Sequence, residues 1–181
     1  MKWQLSVTAI FYISNKVISL MIEKEALLSS IIQELRQIHQ MALEATQRAI
    51  DQATDKEAIA RSKYETFGLE ASYLAHGQAL RVAECEADIL AYRKLPRLEY
   101  SEESVINQCA LVTLVNQDDV ESIFFIGPSA GGVKVTHNTM TFSLITPSAP
   151  LGKAMIGLQL GDEFELNLAG KKQQYEIIDV Q

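Results

Sequence analysis

The sequence lacks almost everything that builds a self-contained catalyst or a cross-linked fold. Its two cysteines, Cys85 and Cys109, stand alone, with no CxxC and no Cys/His cluster. That excludes a zinc site and a disulfide framework, and both read as reduced core residues of a cytoplasmic protein. There is no phosphate-binding glycine loop ending in Lys-Ser or Lys-Thr, no HExxH and no nucleophile elbow. The run GPSAGG has the glycine content of a β-turn and nothing more. Base is scarce too: 16 Lys and Arg face 23 Asp and Glu, for a formal net charge of −7. Sequence-independent affinity for DNA comes from Lys and Arg displacing counterions at phosphates, so a protein partner is the better expectation. The three histidines, His39, His76 and His137, lie far apart in sequence. His39 and His76 flank seam positions, which gives them solvated helix-face roles rather than catalytic ones.

A clean membrane span is also missing. Residues 1–20 are apolar, but Lys2 is the sole positive start, Asn15 and Lys16 interrupt the run, and no small-x-small cleavage site follows. We read 1–20 as a loose extension or misassigned start and expect no membrane partner.

What is there falls into two regions with different periods. From Met21 to Leu95 the chain is nearly free of Gly and Pro and rich in Ala, Glu, Gln, Leu and Arg, all good helix formers. Leu28, Ile31, Leu35, Ile38, Ala42, Ala45 and Ala49 recur at spacings of three and four, the stripe of a coiled-coil seam. Ala71, Ala75, Gln78, Val82, Cys85, Ile89 and Tyr92 form a second stripe. Chain reversal between them pairs the stripes in antiparallel layers, from Ala49 with Ala71 at the turn end to Leu28 with Tyr92 at the root. Alanines let the helices approach closely at the turn end, and larger side chains at the root supply most of the burial. Leu95-Pro96 ends the helical region, and no later segment supplies a third long helix to close a bundle.

From about Ala110 the pattern becomes short β-like runs: ALVTLVN, VESIFFIG, GVKV and TFSLI, then a short helical segment LGKAMIG and a hairpin of DEFELNL with QQYEIIDV. In DEFELNL, Phe164, Leu166 and Leu168 share one side while Glu163, Glu165 and Asn167 share the other, as in a sheet strand with one wet face. The fold class is therefore α+β, with a helical hairpin over 21–95, a linker over 96–107 and a small, mostly antiparallel sheet domain over 108–181 with one short helix.

Between the two stripes, IDQATDKEAIARSKYETFGLEA carries Asp51, Asp55, Glu57, Glu65 and Glu70 among Lys56, Arg61 and Lys63. Mixed charge of this kind is common in a solvated loop. Its alternative use is metal chemistry, because carboxylates carried on a thin hairpin can enter another enzyme's site and help hold Mg²⁺ there.

The string ITPSAPLGKAMIGLQLGDEFELNLAGKKQQYEIIDV resembles the carboxy-terminal end of the Gre (GreA/GreB) transcript cleavage factors. It has Ser148 and Pro150 at a strand end, a short helix through Lys153 to Ile156-Gly157, the acidic turn Gly161-Asp162-Glu163, and the last strand from Tyr175 to Val180. The segment GLEASYLAHGQALRVAECEADILAYRKL is similar to the second arm of the Gre coiled coil. The resemblance implies an accessory factor, not itself an enzyme, whose FKBP-like domain docks on bacterial RNA polymerase while its coiled coil enters the secondary channel, near the nascent RNA 3′ end. Gre factors carry an Asp and a Glu three residues apart at the tip, which help the polymerase retain a second Mg²⁺. Here Glu70 falls near the expected Glu, Phe67 stands three residues before it, and Glu65 is the closest preceding carboxylate. Glu65 and Glu70 are thus the expected tip residues, with Asp55 and Glu57 as substitutes. Pro147, Ser148, Pro150 and Lys153 are the expected docking loop. The resemblance also leaves room for a non-cleaving channel competitor of the Rnk kind, and fold analogy alone for a prolyl isomerase.

Overall fold

The computed structural model describes residues 24–54, 66–96, 104–168 and 170–181. They form two compact units, one of residues 31–95 and one that joins the residues up to Ser30 with those from Pro96 onward. Residues 1–20, expected as a loose extension or misassigned start, and most of the stretch expected as a linker lie outside the described residues.

The helical unit is built from α1 (Lys24–Thr54), whose first two turns belong to the other unit, and α2 (Thr66–Arg93). On α1, Ile31, Leu35, Ala42 and Ala49 are buried, and Ile38 and Ala45 are half-buried. On α2, Cys85, Ile89 and Tyr92 are buried, and Ala75, Gln78 and Val82 are half-buried. Both seam stripes therefore face inward wherever their side chains are described; the Ala71 side chain lies outside that set. After Arg93 the chain tightens, with Lys94 N–H donating to Ala91 O at 3.2 Å and Leu95 N–H to Tyr92 O at 3.3 Å, before Pro96 removes the next donor.

One cross-helix contact fixes the direction of pairing. His39 Nε2 lies 3.4 Å from Glu86 Oε1. If the helices ran parallel through that contact, a rise of 1.5 Å per residue would leave Thr54 and Thr66 about 52 Å apart. The intervening chain of about twelve steps reaches at most about 43 Å. Only the antiparallel arrangement closes, with the two ends roughly 8 Å out of step along the axis.

The other unit is a six-stranded sheet in the order β3-β4-β2-β1-β6-β5. Its strands are β1 (Leu111–Asn116), β2 (Glu121–Ile126), β3 (Lys134–His137), β4 (Met140–Ile145), β5 (Glu163–Leu168) and β6 (Lys171–Val180), with α3 (Pro150–Met155) between β4 and β5. Four neighbouring pairs are antiparallel, but β2 and β4 are parallel, so the sheet is mixed. The reason is topological. Strand β3 takes the outer position, and the hairpin through Asn138, in the left-handed region at φ 54°, brings β4 back alongside β2 in the same direction.

Strand alternation gives the sheet two buried faces. Val112, Leu114, Ile126, Ile145 and Ile177 share one, together with Met155 of α3 and Ile106. Ile106 lies inside the stretch expected as a linker. It is buried, donates N–H to Leu158 O at 2.7 Å and accepts from Gly157 N–H at 2.9 Å, so the packed unit reaches back at least that far.

The opposite face carries Leu111, Phe125, Val135, Phe142 and Leu144, with the Phe125 and Phe142 rings 6.5 Å apart. The first turns of α1 come to this face: Leu27 is buried, and Ser30 Oγ lies 2.8 Å from His137 Nδ1. Ser30 also donates to Ala26 O at 3.1 Å, which leaves it to accept from an Nδ1–H tautomer of His137.

Two stability tests follow from this packing. Ile31→Ala empties a fully buried seam site and costs about 3 kcal/mol, whereas Leu43→Ala, at an exposed site on the same helix, stays within about 0.5 kcal/mol. Thermal unfolding followed by circular dichroism checks both. Burial pushes the Cys109 thiol up, with Lys24 pulling it weakly the other way. A raised value in the folded state means that its contribution to stability is complete below the ordinary thiol range and is lost as pH rises through the raised value. The urea midpoint therefore falls as pH rises through the ordinary thiol range and beyond it, and Cys109→Ser makes that fall shallower.

Candidate functional site

Two places carry the residues singled out by sequence. The first is the turn from β4 into α3. Thr146 O accepts from Ala149 N–H at 3.1 Å, and the Thr146 and Ser148 hydroxyls are 2.9 Å apart. Ala149 occupies the N-cap position, and its carbonyl accepts the first helical bond from Lys153 N–H at 2.8 Å. Pro150 follows at the start of α3, where a missing N–H costs nothing and a fixed φ suits the helix.

Gly152 locks the turn. A Cβ built there would collide with the Thr146 carbonyl oxygen, so the first turn of α3 lies directly against the preceding backbone. Gly152 and Met155 face the core, three residues apart on one side of the helix. The opposite side leaves Pro150 and Lys153 exposed, beside exposed Ser148, while Pro147 is half-buried. The four expected docking residues therefore sit on one short, closely packed turn, three of them open to solvent.

The second place is the start of α2. Glu70 is exposed there, with Tyr73 one turn later and 68% exposed. Glu65, Asp55 and Glu57 lie outside the described residues. Among the described residues no three His, Cys, Asp or Glu side chains gather in a way that could hold a metal ion. Glu70 can thus offer one carboxylate outward, as a single ligand to an ion held elsewhere. Among the described residues no helix is long and apolar enough to cross a membrane.

The histidines are placed differently from one another. His76 is exposed, as expected of a helix face, but His39 is half-buried against Glu86 and His137 is buried on the sheet. Alternation in KVTH, which puts His137 on the same side as Val135, is the sequence signal for that burial. Its partner Ser30, 107 residues away, leaves none.

Residues 102–181 match the family model for the GreA/GreB transcription elongation factor C-terminal domain. The chain carries a Gre-type carboxy-terminal domain. It is similar to the transcription elongation factor GreA of Sinorhizobium medicae strain WSM419, at 32% identity over 103 residues, or 56% of this chain and 60% of that one. It is also similar to GreA of Allorhizobium ampelinum, at 34% identity over 102 residues, covering 55% and 60%. The matched chain thus spans about 60% of the length of these curated relatives. GreA factor homolog 1 of Thermus thermophilus aligns over 83% of this chain and 94% of its own at 18% identity, with a TM-score of 0.35, too low to bear on fold or function.

Residues 102–181 include the whole of this turn, so its packing can be tested directly. Gly152→Ala forces the Thr146 carbonyl and α3 apart and destabilises the domain by about 3 kcal/mol, while Lys153→Ala, on the exposed side, changes stability by less than about 0.5 kcal/mol. Urea denaturation of the two variants beside the unchanged protein reads both values.

Proposed function

We propose that the chain is a Gre-related transcription elongation regulator that binds bacterial RNA polymerase. In this reading the paired helices enter the secondary channel, and the Gre-type domain docks at its rim through Ser148, Pro150 and Lys153. The observation that carries it is the co-occurrence, in one chain, of residues 102–181 matching the GreA/GreB domain and an antiparallel pair of helices 31 and 28 residues long. The chain acts as an accessory factor, and any RNA hydrolysis uses the polymerase's own active site.

For cleavage, Glu70 and Glu65 are the groups that would reach the polymerase metal, with Asp55 and Glu57 as substitutes. When Mg²⁺ is bound at that shared site it supplies Lewis acidity and orients the attacking water. Glu70 would contribute a negative charge and one oxygen ligand there, near the RNA 3′ end.

A second reading has a specific observation behind it. Phe67 stands three residues before Glu70, where the Gre tip motif has Asp, so the close pair of carboxylates is absent from that spacing. The chain would then occupy the channel without stimulating cleavage and compete with active Gre factors, as a Rnk-like protein would.

Stalled, backtracked elongation complexes separate the two. Addition of the protein shortens the RNA if it stimulates cleavage, and Glu70→Ala or Glu65→Ala reduces the rate by about 100-fold, the scale for losing a charge that acts on the reacting site. Binding to the polymerase with no shortening, together with inhibition of an active Gre factor, supports the channel occupant. A protein that binds no polymerase rejects both.

A further inference from the structure

The sheet keeps its carboxylates to one side. Residues 122–161, from β2 through α3, contain no Asp or Glu, although the whole chain has 23 in 181 residues. The acids of the sheet lie before and after this stretch, at Asp118, Asp119 and Glu121 around the β1–β2 turn and from Asp162 onward. The low strand propensity of acidic residues does not explain the gap, because β5 and β6 carry Glu163, Glu165, Glu176 and Asp179. In sheet order the acid-free strands β3, β4 and, past Glu121, β2 lie together at one edge, with β5 and β6 at the other.

One face of the acid-free edge is open. Val135 and His137 are buried on the face that meets α1, so Lys134 and Thr136, which alternate with them, project from the opposite face, where α3 packs. The register runs a row across that face: Val112 opposite Phe124, Phe124 opposite Ser143, and Ser143 opposite Lys134. Val112 is buried, Phe124 and Ser143 are half-buried and Lys134 is exposed, so the cover thins toward β3. In the next row Thr136 stands opposite Thr141, both exposed, with their hydroxyls 3.3 Å apart. Past the end of β4 come the Thr146 and Ser148 hydroxyls, then exposed Lys153. The face thus offers hydroxyl donors and ammonium groups. Lysine on an edge strand also deters pairing with another chain, but that role needs neither the hydroxyls nor the missing carboxylates.

Donors without carboxylates, in a chain of net charge −7, suit an anionic partner that the rest of the surface repels. Nucleic acid is the poorer fit, because its affinity grows with the number of phosphates neutralised and two lysines release few counterions. We propose that the face of β3 and β4 bearing Lys134, Thr136, Thr141 and Ser143 docks on an acidic protein surface, and that the acidic hairpin of β5 and β6 opposes docking by the other edge. The inference rests on the polymerase reading above, in which the acidic surface belongs to the polymerase. It extends the contact from the turn after β4 onto the sheet and names its chemistry.

The test measures binding of the full chain to core RNA polymerase. Lys134→Glu and Thr141→Glu are each expected to weaken it about tenfold, Lys134→Gln about threefold, and Lys134→Arg not at all. Lys171→Glu makes the same change of net charge at the other edge and leaves affinity within about twofold. Affinity of the unaltered chain falls between about 0.1 M and about 0.5 M salt, and that of Lys134→Glu falls less steeply. Circular dichroism of the free proteins stays unchanged, because these side chains are exposed. Equal weakening by Lys171→Glu means that net charge governs and overturns the proposal, as does unchanged binding by Lys134→Glu and Thr141→Glu. An RNA oligonucleotide that competes with the polymerase for the unaltered chain, but binds Lys134→Glu poorly, assigns the face to nucleic acid and overturns it too. If the unaltered chain binds no polymerase, the polymerase reading fails and this inference with it; if it binds and the variants bind equally well, only this inference fails.

Discussion

Two helices that pair along a single seam can bury only that seam, and this constraint governs the helical unit. Ile31, Leu35, Cys85, Ile89 and Tyr92 supply most of its burial, and about 1.5 to 3 kcal/mol for each large side chain is what such a pair has to set against the entropy of ordering two long helices. Farther along, Ala42 and Ala49 are buried too, but their small side chains add little area. Among the described residues, the side chains that face away from the seam are mostly exposed and take no part in holding the two helices to each other.

The sheet unit solves a different problem. Its central strands are buried on both faces, so each face needs its own cover there. Met155 and the segment around Leu158 lie on one face, and the first turns of α1 come to the other, where Ser30 meets His137. The turn from β4 into α3 gains its rigidity from the first of these layers. Because Gly152 rests against the Thr146 backbone and Met155 is fully buried, the exposed groups of Ser148, Pro150 and Lys153 are held by a core that must be disturbed before they can move. A surface of this kind suits rigid docking, in which little ordering entropy remains to be lost on binding.

How much of this was legible depended on whether the signal was local. Both seam stripes could be read because heptad spacing depends only on residues three and four apart, and the structure buries or half-buries every described member. The strands were legible from alternation and the α3 turn from Pro150. The parallel contact of β2 with β4 was not, because strand order depends on which side of β4 receives β3, and no local pattern encodes that choice. Ile106 was hidden for the same reason: its partners, Gly157 and Leu158, are about fifty residues away, and one isoleucine in a polar stretch gives no period to detect. Of the four carboxylates expected at the tip, the structure describes Glu70 alone.

The candidate residues divide by the kind of work their surroundings allow. Glu70 is exposed near the start of a helix and free to enter another molecule's site, where one carboxylate adds charge but cannot by itself define a metal's geometry. Ser148, Pro150 and Lys153 are exposed on a turn that the core holds still. Under the proposed function, Phe67 stands where a second acidic group would be needed, so any help with cleavage would have to come from Glu70 together with a carboxylate outside the three-residue spacing.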